Sequence, residues 1–191
     1  MNAQELKKRL LELATTFKKE EAHLTELDRA IGDGDHGVNM LRGFEALQDK
    51  IDDRSIESIL KSTGMTLMSN IGGASGPLYG FSFVKMAQVA KEDIDHDGLV
   101  ALLTAFSEAI ATRGKVSGGE KTMYDVIHRA KEAVAQGDTV TLETLQQYAE
   151  DTKDLVATKG RAAYFKEDSK GHVDPGAQSI VYILNALIGE D

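Results

Sequence analysis

Three aspartates lie in one short segment of the chain, between residues 28 and 35, and two of them alternate with glycines. Asp33 and Asp35 are two positions apart, so in an extended segment their side chains would project from the same side. Asp28 stands at the end of the preceding helical pattern and can close the group from the other side. Crowded carboxylates repel one another unless a cation neutralises them, and a hard divalent ion prefers oxygen ligands. The segment therefore predicts magnesium held for a phosphate-bearing ligand.

Three other interpretations of this segment compete with a magnesium site. An acidic turn without a ligand is common, because Asp and Gly both favour connections. A calcium-binding EF-hand loop requires a glycine and a glutamate where Val38 and Phe44 stand, so it is excluded. Residues 32–37 match the G-x-G-x-x-G spacing, but a dinucleotide fingerprint follows a strand and this segment follows a helical pattern. The acidic turn remains as the alternative.

A glycine cluster at residues 72–77 places small residues immediately before another helical pattern. Pro77 suits the first turn of a helix, where its missing N–H costs nothing, and Ser75 or Gly76 can cap that helix. Free amides at such an N-terminus, together with the helix dipole, form an anion site. The alternative is ordinary helix punctuation.

Residues 174–178 repeat this arrangement before the last helical pattern, with Asp174 as the expected cap. Residues 118–123 form a third glycine-bearing connection, and Arg161 offers a cation on a long polar loop at 159–173. That loop is expected to be either an ordered lid or a loose connection. The chain contains no Gly-Lys-Ser/Thr sequence, so any nucleotide is held by something other than a P-loop.

The elements that must position these residues are predicted to be helices. Leu, Ala, Glu, Lys and Met are plentiful, the chain has only 2 prolines, and no stretch shows the alternation of a strand. Apolar residues recur at helical spacing in the stretches 6–27, 38–51, 56–68, 77–91, 99–112, 122–135, 142–156 and 180–188. We therefore predict a single all-α domain over residues 1–191, with about eight helices joined mostly by short turns and hence antiparallel neighbours.

Composition and charge narrow the class of protein. A formal net charge of −9 argues against nucleic-acid binding, which requires a basic face. The chain has no cysteine, so disulfides and zinc–cysteine sites are excluded. It begins with a charged amphipathic pattern and has no apolar run near the ~18 residues of a membrane span, so we expect a cytoplasmic protein.

Five motifs occur in one order along the chain: Gly-Asp-Gly-Asp-His-Gly-x-Asn-Met, Gly-Gly-Ala-Ser-Gly-Pro-Leu-Tyr-Gly, Lys-Thr-Met-x-Asp-Val, Lys-Gly-Arg-Ala and Asp-Pro-Gly-Ala. Together they make the chain resemble the nucleotide-binding L subunits of dihydroxyacetone kinase, the DhaL family. The resemblance implies a barrel of eight antiparallel amphipathic helices, with the nucleotide at one end among the loops. It also implies that two Mg²⁺ ions are held on the nucleotide phosphates by three aspartates, Asp28, Asp33 and Asp35. The implied nucleotide contacts are His36, Asn39, Ala74, Ser75, Gly114, Met123, Arg161, Asp174, Pro175 and Gly176.

The resemblance further implies a phosphotransferase subunit of glycerol metabolism. ADP would stay bound as a coenzyme and be converted to ATP by a phosphohistidine protein (DhaM) of the phosphotransferase system. The phosphoryl group would then pass to dihydroxyacetone held covalently on a histidine of the K subunit (DhaK). No catalytic base is then needed in this chain, and the motifs at both ends imply a free-standing subunit.

Two other classes of function stay open. A stand-alone metal-dependent phosphohydrolase could use the same aspartates to activate water. A nucleotide-sensing regulatory module could instead bind a transcription regulator.

Several side chains have two interpretations at this point. His36 is expected to be functional, with a structural hydrogen bond as the alternative. Met123 could fill the core rather than contact a ligand, since methionine packs adaptably. Tyr79 and Phe81 are expected in the core, and His172 either tethers its loop or contacts a ligand.

Overall fold

The computed structural model describes residues 1–189 and is all-helical within them. The all-α prediction is thereby confirmed for this part of the chain, whereas the single domain over residues 1–191 stays a prediction, and its last two residues lie outside the described residues. The α-helices are α1 Ala3–Ile31, α2 His36–Glu45, α3 Ile56–Asn70, α4 Ser75–Ala87, α5 His96–Gly114, α6 Met123–Gln136, α7 Leu142–Glu150 and α8 Pro175–Ile188. Short 3₁₀ helices cover Ala46–Asp49, Asp151–Asp154 and Arg161–Ser169.

The helices form a closed ring in chain order. Each helix packs against the next one along the chain, and α8 returns to pack against α1. Closure buries the apolar stripe of every helix against a common centre, because no helix is left with an unpaired side. The expected barrel of antiparallel amphipathic helices is confirmed.

The up-and-down course of the helices decides where the connections lie. When successive helices alternate in direction, every second connection falls at the same end of the barrel. One end therefore carries the connections 32–35, 71–74, 115–122 and 155–174. These are the four connections in which the sequence motifs occur, so the fold collects them at one end.

The core confirms most of the predicted apolar stripes. Phe17 of α1 stacks on Phe44 of α2 with ring centroids 4.7 Å apart, and Phe83 and Phe106 pack at 5.5 Å between α4 and α5. Tyr79 is fully buried, as expected, whereas Phe81 is only half-buried and its ring lies under the cationic groups of Lys85 and Arg113. The prediction was wrong for residues that lie just off the inner helix faces and are exposed: Val38, Met68 and Val89.

Glycines set the closest helix contact. A β-carbon at Gly64 of α3 would lie 2.6 Å from the carbonyl oxygen of Gly80 in α4, and one at Gly80 would lie 2.7 Å from the carbonyl oxygen of Gly64. Only glycine permits this approach of two backbones. The pair fixes α3 against α4 and thereby fixes the loop between them.

Some helix boundaries differ from the prediction. The seventh helical pattern, predicted to reach residue 156, breaks after Glu150 into the 3₁₀ turn Asp151–Asp154. The fourth begins at Ser75 instead of near Pro77 and ends at Ala87. Within the described residues, no helix is both long enough and apolar enough to cross a lipid bilayer.

Candidate functional site

A cavity of about 440 Å³ opens among the connections at the motif-bearing end of the barrel. All of the sequence-predicted site residues line it: Asp28, Asp33, Asp35, His36, Asn39, Ala74, Ser75, Gly114, Met123, Arg161, Asp174, Pro175 and Gly176. They come from five separate stretches of sequence. The structure therefore brings the whole predicted set together in one place.

The three aspartates converge at the rim of this cavity. One carboxylate oxygen from each of Asp28, Asp33 and Asp35 lies within 4.8 Å of the others, with Asp28 buried and the other two exposed. The extended segment expected between Asp33 and Asp35 is absent, since Gly34 has a φ of 76°. A glycine tolerates this left-handed conformation, which turns the chain and carries both carboxylates towards Asp28. This donor set suits a hard divalent cation.

Asp28 also has a structural task. Its Oδ2 accepts hydrogen bonds from the main-chain N–H groups of Asp35 at 2.9 Å and His36 at 3.1 Å. Asp35 itself makes no side-chain cap hydrogen bond at the start of α2. A carboxylate from α1 therefore caps α2 and joins the two helices at the rim of the cavity.

Arg161 reaches the acidic cluster from the opposite side of the cavity. Its Nη1 lies 2.8 Å from Oδ2 of Asp33, and both side chains remain partly exposed. This ion pair crosses from the 3₁₀ segment Arg161–Ser169 to the loop after α1. It places a guanidinium beside the carboxylates, in reach of a ligand that bridges them.

The N-terminus of α4 faces the same space. Ser75 and Gly76, which the sequence suggested as caps, lie inside the helix, and the capping position is Ala74, which makes no side-chain hydrogen bond. The first amides of α4 are therefore left without a side-chain acceptor, and such amides attract an anion. Asn39 borders this region, and its Oδ1 accepts from Nη2 of Arg42 at 2.7 Å.

His36 is buried where α2 meets α8. Its Nε2 lies 2.9 Å from Oγ of Ser179, and its Nδ1 lies 3.5 Å from Oγ of Ser75. Burial lowers the pKa of the imidazole, outweighing the nearby carboxylates that act to raise it. The ring is therefore neutral at physiological pH.

Lys121, a buried lysine that was not among the predicted site residues, joins two segments on the far side of the cavity. The side chain of Lys121 is 1% exposed, and its Nζ donates to the carbonyl oxygens of Thr152, at 2.5 Å, and of His172. Lys121 also has a φ of 63°, a conformation that non-glycine residues seldom adopt. His172 is exposed and contacts Lys121 through its main-chain carbonyl oxygen. The tethering of the loop that was predicted for His172 is therefore made by its main chain and not by its imidazole ring.

Asp174 caps α8 as the sequence predicted, accepting from the N–H of Ala177 at 2.8 Å. Its carboxyl group is buried, and burial raises its pKa to about 7, although this hydrogen bond and Lys121 act to lower it. A raised pKa means that the folded protein holds this proton more tightly than the unfolded chain does.

The free energy of unfolding should therefore fall as the pH rises from about 4 to about 7, by up to about 4 kcal/mol from Asp174 alone. Asp174→Asn keeps a cap acceptor without the charge, so its stability should decline less over that pH window. Urea unfolding in EDTA at several pH values measures this slope. Asp95→Asn, at the exposed cap of α5, is the matched control. Equal slopes for wild type and Asp174→Asn would contradict the assignment.

Part of the remaining wall of the cavity is apolar, although Arg113, Thr122 and Lys159 line it as well. Leu78, Ile110, Val116 and Met123 form this apolar part. Met123 belongs to the core at the same time, which confirms that it fills the core, and its contact with a ligand stays a prediction. An apolar wall facing a carboxylate rim suits a ligand with a flat apolar part and an anionic part that a divalent cation joins to the carboxylates.

The loop at 159–173 is ordered by hydrogen bonds and is not a loose connection. Oγ of Ser169 accepts from the N–H of Ala157 at 2.9 Å, and the N–H of Gly171 donates to the carbonyl oxygen of Lys153 at 2.7 Å. Ala162 is buried against Ile31 of α1, whereas Tyr164 is 86% exposed. The segment thus leans on the first helix and carries Arg161 to the cavity.

Comparison with known proteins agrees with this arrangement. A family model of the DAK2 domain matches residues 30–189. The chain is 45% identical over 169 residues to the PEP-dependent dihydroxyacetone kinase 1 ADP-binding subunit DhaL of Listeria innocua, a match that covers 86% of this chain and 85% of that protein. It is 42% identical over 175 residues to the PTS-dependent dihydroxyacetone kinase ADP-binding subunit DhaL of Lactococcus lactis, covering 90% of this chain and 89% of that one.

A solved structure shares the fold. The dihydroxyacetone kinase of C. freundii in complex with AMP-PNP and Mg²⁺ superimposes with a TM-score of 0.74 at 22% identity, over 100% of this chain and 34% of that longer chain. With a family model that spans most of its length and relatives this similar, the chain belongs to the DAK2 domain family, among its DhaL subunits.

Proposed function

We propose that this chain is the ADP-binding subunit of a phosphoenolpyruvate-dependent dihydroxyacetone kinase. The observation that carries the proposal is the convergence of every predicted site residue on one cavity with an acidic rim and an apolar wall. The DhaL relatives are named as ADP-binding subunits of such kinases, and the structural neighbour is a dihydroxyacetone kinase with AMP-PNP and Mg²⁺ bound.

Asp28, Asp33 and Asp35 would hold magnesium. Their oxygens lie close enough to share a cation, and the exposure of Asp33 and Asp35 lets a phosphate complete the coordination. When bound, two Mg²⁺ ions would neutralise charge on the nucleotide phosphates. This is needed here because a protein with a net charge of −9 repels a polyphosphate at long range.

The other groups of the cavity would orient the nucleotide. The uncapped N-terminus of α4 supplies amides for phosphate oxygens, and Arg161 supplies a planar fork that suits them. The apolar wall at Leu78, Val116 and Met123 would contact the flat base.

Phosphoryl transfer needs little covalent chemistry from the protein, because positioning and charge neutralisation supply most of the rate. ADP would remain bound as a coenzyme, gain a phosphoryl group from a phosphohistidine of a donor protein (DhaM), and pass it to dihydroxyacetone on the K subunit (DhaK). His36 is buried and neutral, and we assign it no proton transfer. The exposed Asp33 and Asp35 mark the side from which both partners would approach in turn.

Native mass spectrometry of the purified chain with magnesium tests this function. The expected result is a species with retained ADP that becomes the ATP species when a phosphohistidine donor is added. EDTA should release the nucleotide. Steady release of inorganic phosphate from ATP without any partner protein would contradict the coenzyme role and indicate a phosphohydrolase.

A further inference from the structure

A chain of buried polar groups lies behind the wall of the cavity. Oγ of Ser179 is 2.9 Å from Nε2 of His36, 2.7 Å from the Tyr79 hydroxyl oxygen and 3.1 Å from the carbonyl oxygen of Gly176. Ser179 and Tyr79 are fully buried and do not line the cavity, whereas His36 does. Gly176, whose carbonyl oxygen both hydroxyl groups approach, also lines the cavity, so these hydroxyl groups act on a ligand through His36 and Gly176.

The number of hydrogens decides the direction of these hydrogen bonds. A serine hydroxyl has one hydrogen to donate and two lone pairs to accept with, and a carbonyl oxygen only accepts. If Ser179 donates to Gly176, its lone pairs can accept from Tyr79 O–H and from a protonated Nε2 of His36, so that three hydrogen bonds form together. If Ser179 donates to His36 instead, its bond to Gly176 is lost, and the single hydrogen of Tyr79 can go either to Ser179 or, at 3.4 Å, to Gly176, so that only two hydrogen bonds form. The first arrangement satisfies more of these buried groups, and unsatisfied buried groups are costly.

We infer that Tyr79 and Ser179 are positioning residues that hold His36 as its Nε2–H tautomer, which presents an unprotonated Nδ1 to the cavity. The hydrogen bond of one ring nitrogen determines the state of the other. Nδ1 is then an acceptor beside Ser75, 3.5 Å from its hydroxyl oxygen. His36 accepts a hydrogen bond from Ser75 or from a ligand hydroxyl group, and does not bind a phosphate oxygen directly. This inference gives His36 a specific chemical role that the proposed function does not state. Only the importance of that role for nucleotide binding rests on the proposed function.

The tautomer can be measured without any ligand. Long-range ¹H–¹⁵N correlations of the ¹⁵N-labelled, metal-free full chain at slightly alkaline pH distinguish a protonated from an unprotonated ring nitrogen. The chain has 5 histidines, and His36→Gln identifies the signals of His36. We expect protonated Nε2 and unprotonated Nδ1. A protonated Nδ1 in the wild-type chain overturns the inference.

Two substitutions test the positioning role. Ser179→Ala removes the side-chain acceptor of Nε2–H and should yield a mixture of tautomers, whereas Tyr79→Phe removes only one hydrogen bond that Ser179 accepts and should shift the tautomers less. Ser179→Ala should raise the Kd for Mg-ADP about tenfold, the value of one hydrogen bond, and Tyr79→Phe should raise it less. Ser82→Ala is the matched control, because Ser82 is a fully buried serine of α4 that bonds only within its helix, to the carbonyl oxygen of Leu78 at 2.7 Å. Unchanged tautomers in both variants overturn the inference.

The two hypotheses fail in different ways. If the wild-type chain does not bind Mg-ADP, the proposed function fails, while the spectrum of the ligand-free chain still decides the tautomer. If the wild-type chain binds Mg-ADP and the variants bind it equally well with altered tautomers, the tautomer of His36 has no part in nucleotide binding, whereas its control by Ser179 and Tyr79 and the proposed function both stand. Should Ser179→Ala fail to fold, the wild-type spectrum and Tyr79→Phe decide the question.

Discussion

Replacing Asp33 and Asp35 together by asparagine should weaken magnesium-dependent ADP binding by at least about 100-fold, since even outer-shell groups of a metal site are worth 10–100-fold. Asparagine keeps the size of each side chain and removes the charge that holds the cation. The carboxylates lie within 4.8 Å of each other and of Asp28, so both losses fall on one site. Isothermal titration with ADP, in magnesium and in EDTA, measures the effect.

The same double variant separates ligand binding from folding. Crowded carboxylates repel each other without a cation, and the ion pair of Asp33 with Arg161 that the variant loses is partly exposed and weak. In EDTA we expect the variant to melt at or above the wild-type temperature, and magnesium should raise the Tm of the wild type alone. Asp93→Asn with Asp97→Asn removes the same charge from exposed positions near the start of α5 and serves as the control. Wild-type ADP affinity in the Asp33/Asp35 variant, unaltered by EDTA, would exclude the proposed site.

Arg161→Ala should weaken ADP binding about 10–100-fold, because a guanidinium–phosphate pair has charge-assisted hydrogen bonds with fixed geometry. Its pairing with Asp33 at 2.8 Å also gives a second, opposite expectation. Without Arg161, Asp33 has no competing cation, so the affinity for magnesium alone should stay equal or rise. A loss for ADP without a loss for magnesium distinguishes a phosphate-binding arginine from one that only orders the carboxylates.

The control for this substitution is Arg129, which makes a similar ion pair away from the cavity. Arg129 lies 2.6 Å from Asp151, is exposed to a comparable degree and does not line the cavity. Arg129→Ala should leave both affinities unchanged. Arg161→Lys should recover part of the loss, since lysine retains the charge but not the planar fork. Equal binding of ADP by Arg161→Ala and wild type would remove this residue from the site.

The positions of the helices could be predicted from the local spacing of apolar residues, and so could most of the residues at which the helices begin and end. The apolar spacing of residues such as Leu6, Leu10 and Phe17 defines a buried face wherever the helix packs. The break of α7 after Glu150 was missed, because a 3₁₀ turn continues the helical spacing for only a few residues. Val38 and Met68 were predicted to be buried and are exposed. The helical spacing of apolar residues does not show which edge of an apolar stripe the neighbouring helix covers.

Part of the site could be predicted because its chemistry lies in short motifs within connections, whereas contacts such as Gly114 were expected only from the resemblance to the DhaL family. Aspartates among glycines, as around Gly34, carry metal-binding potential in their own spacing, and Asp174 before Pro175 indicates a helix start. The predicted cap at Ser75 or Gly76 was wrong, because α4 begins at Ser75 itself and its capping position is Ala74, one residue before Ser75 and two before Gly76. The roles of these residues towards nucleotide and metal remain predictions that the variants above test.

The amino-acid order alone determined which segments are helical and which loops carry acidic, cationic and glycine-rich chemistry, since both depend on neighbours along the chain. Only the closed barrel decided that four connections meet at one end, that Asp33 faces Arg161, and that Lys121 is buried. It also placed Tyr79 and Ser179, 100 positions apart, in one hydrogen-bonded chain with His36. Contacts between residues so far apart in the sequence depend on how the helices pack against each other. The spacing of residues within one helix does not determine which polar side chain of a distant helix lies opposite.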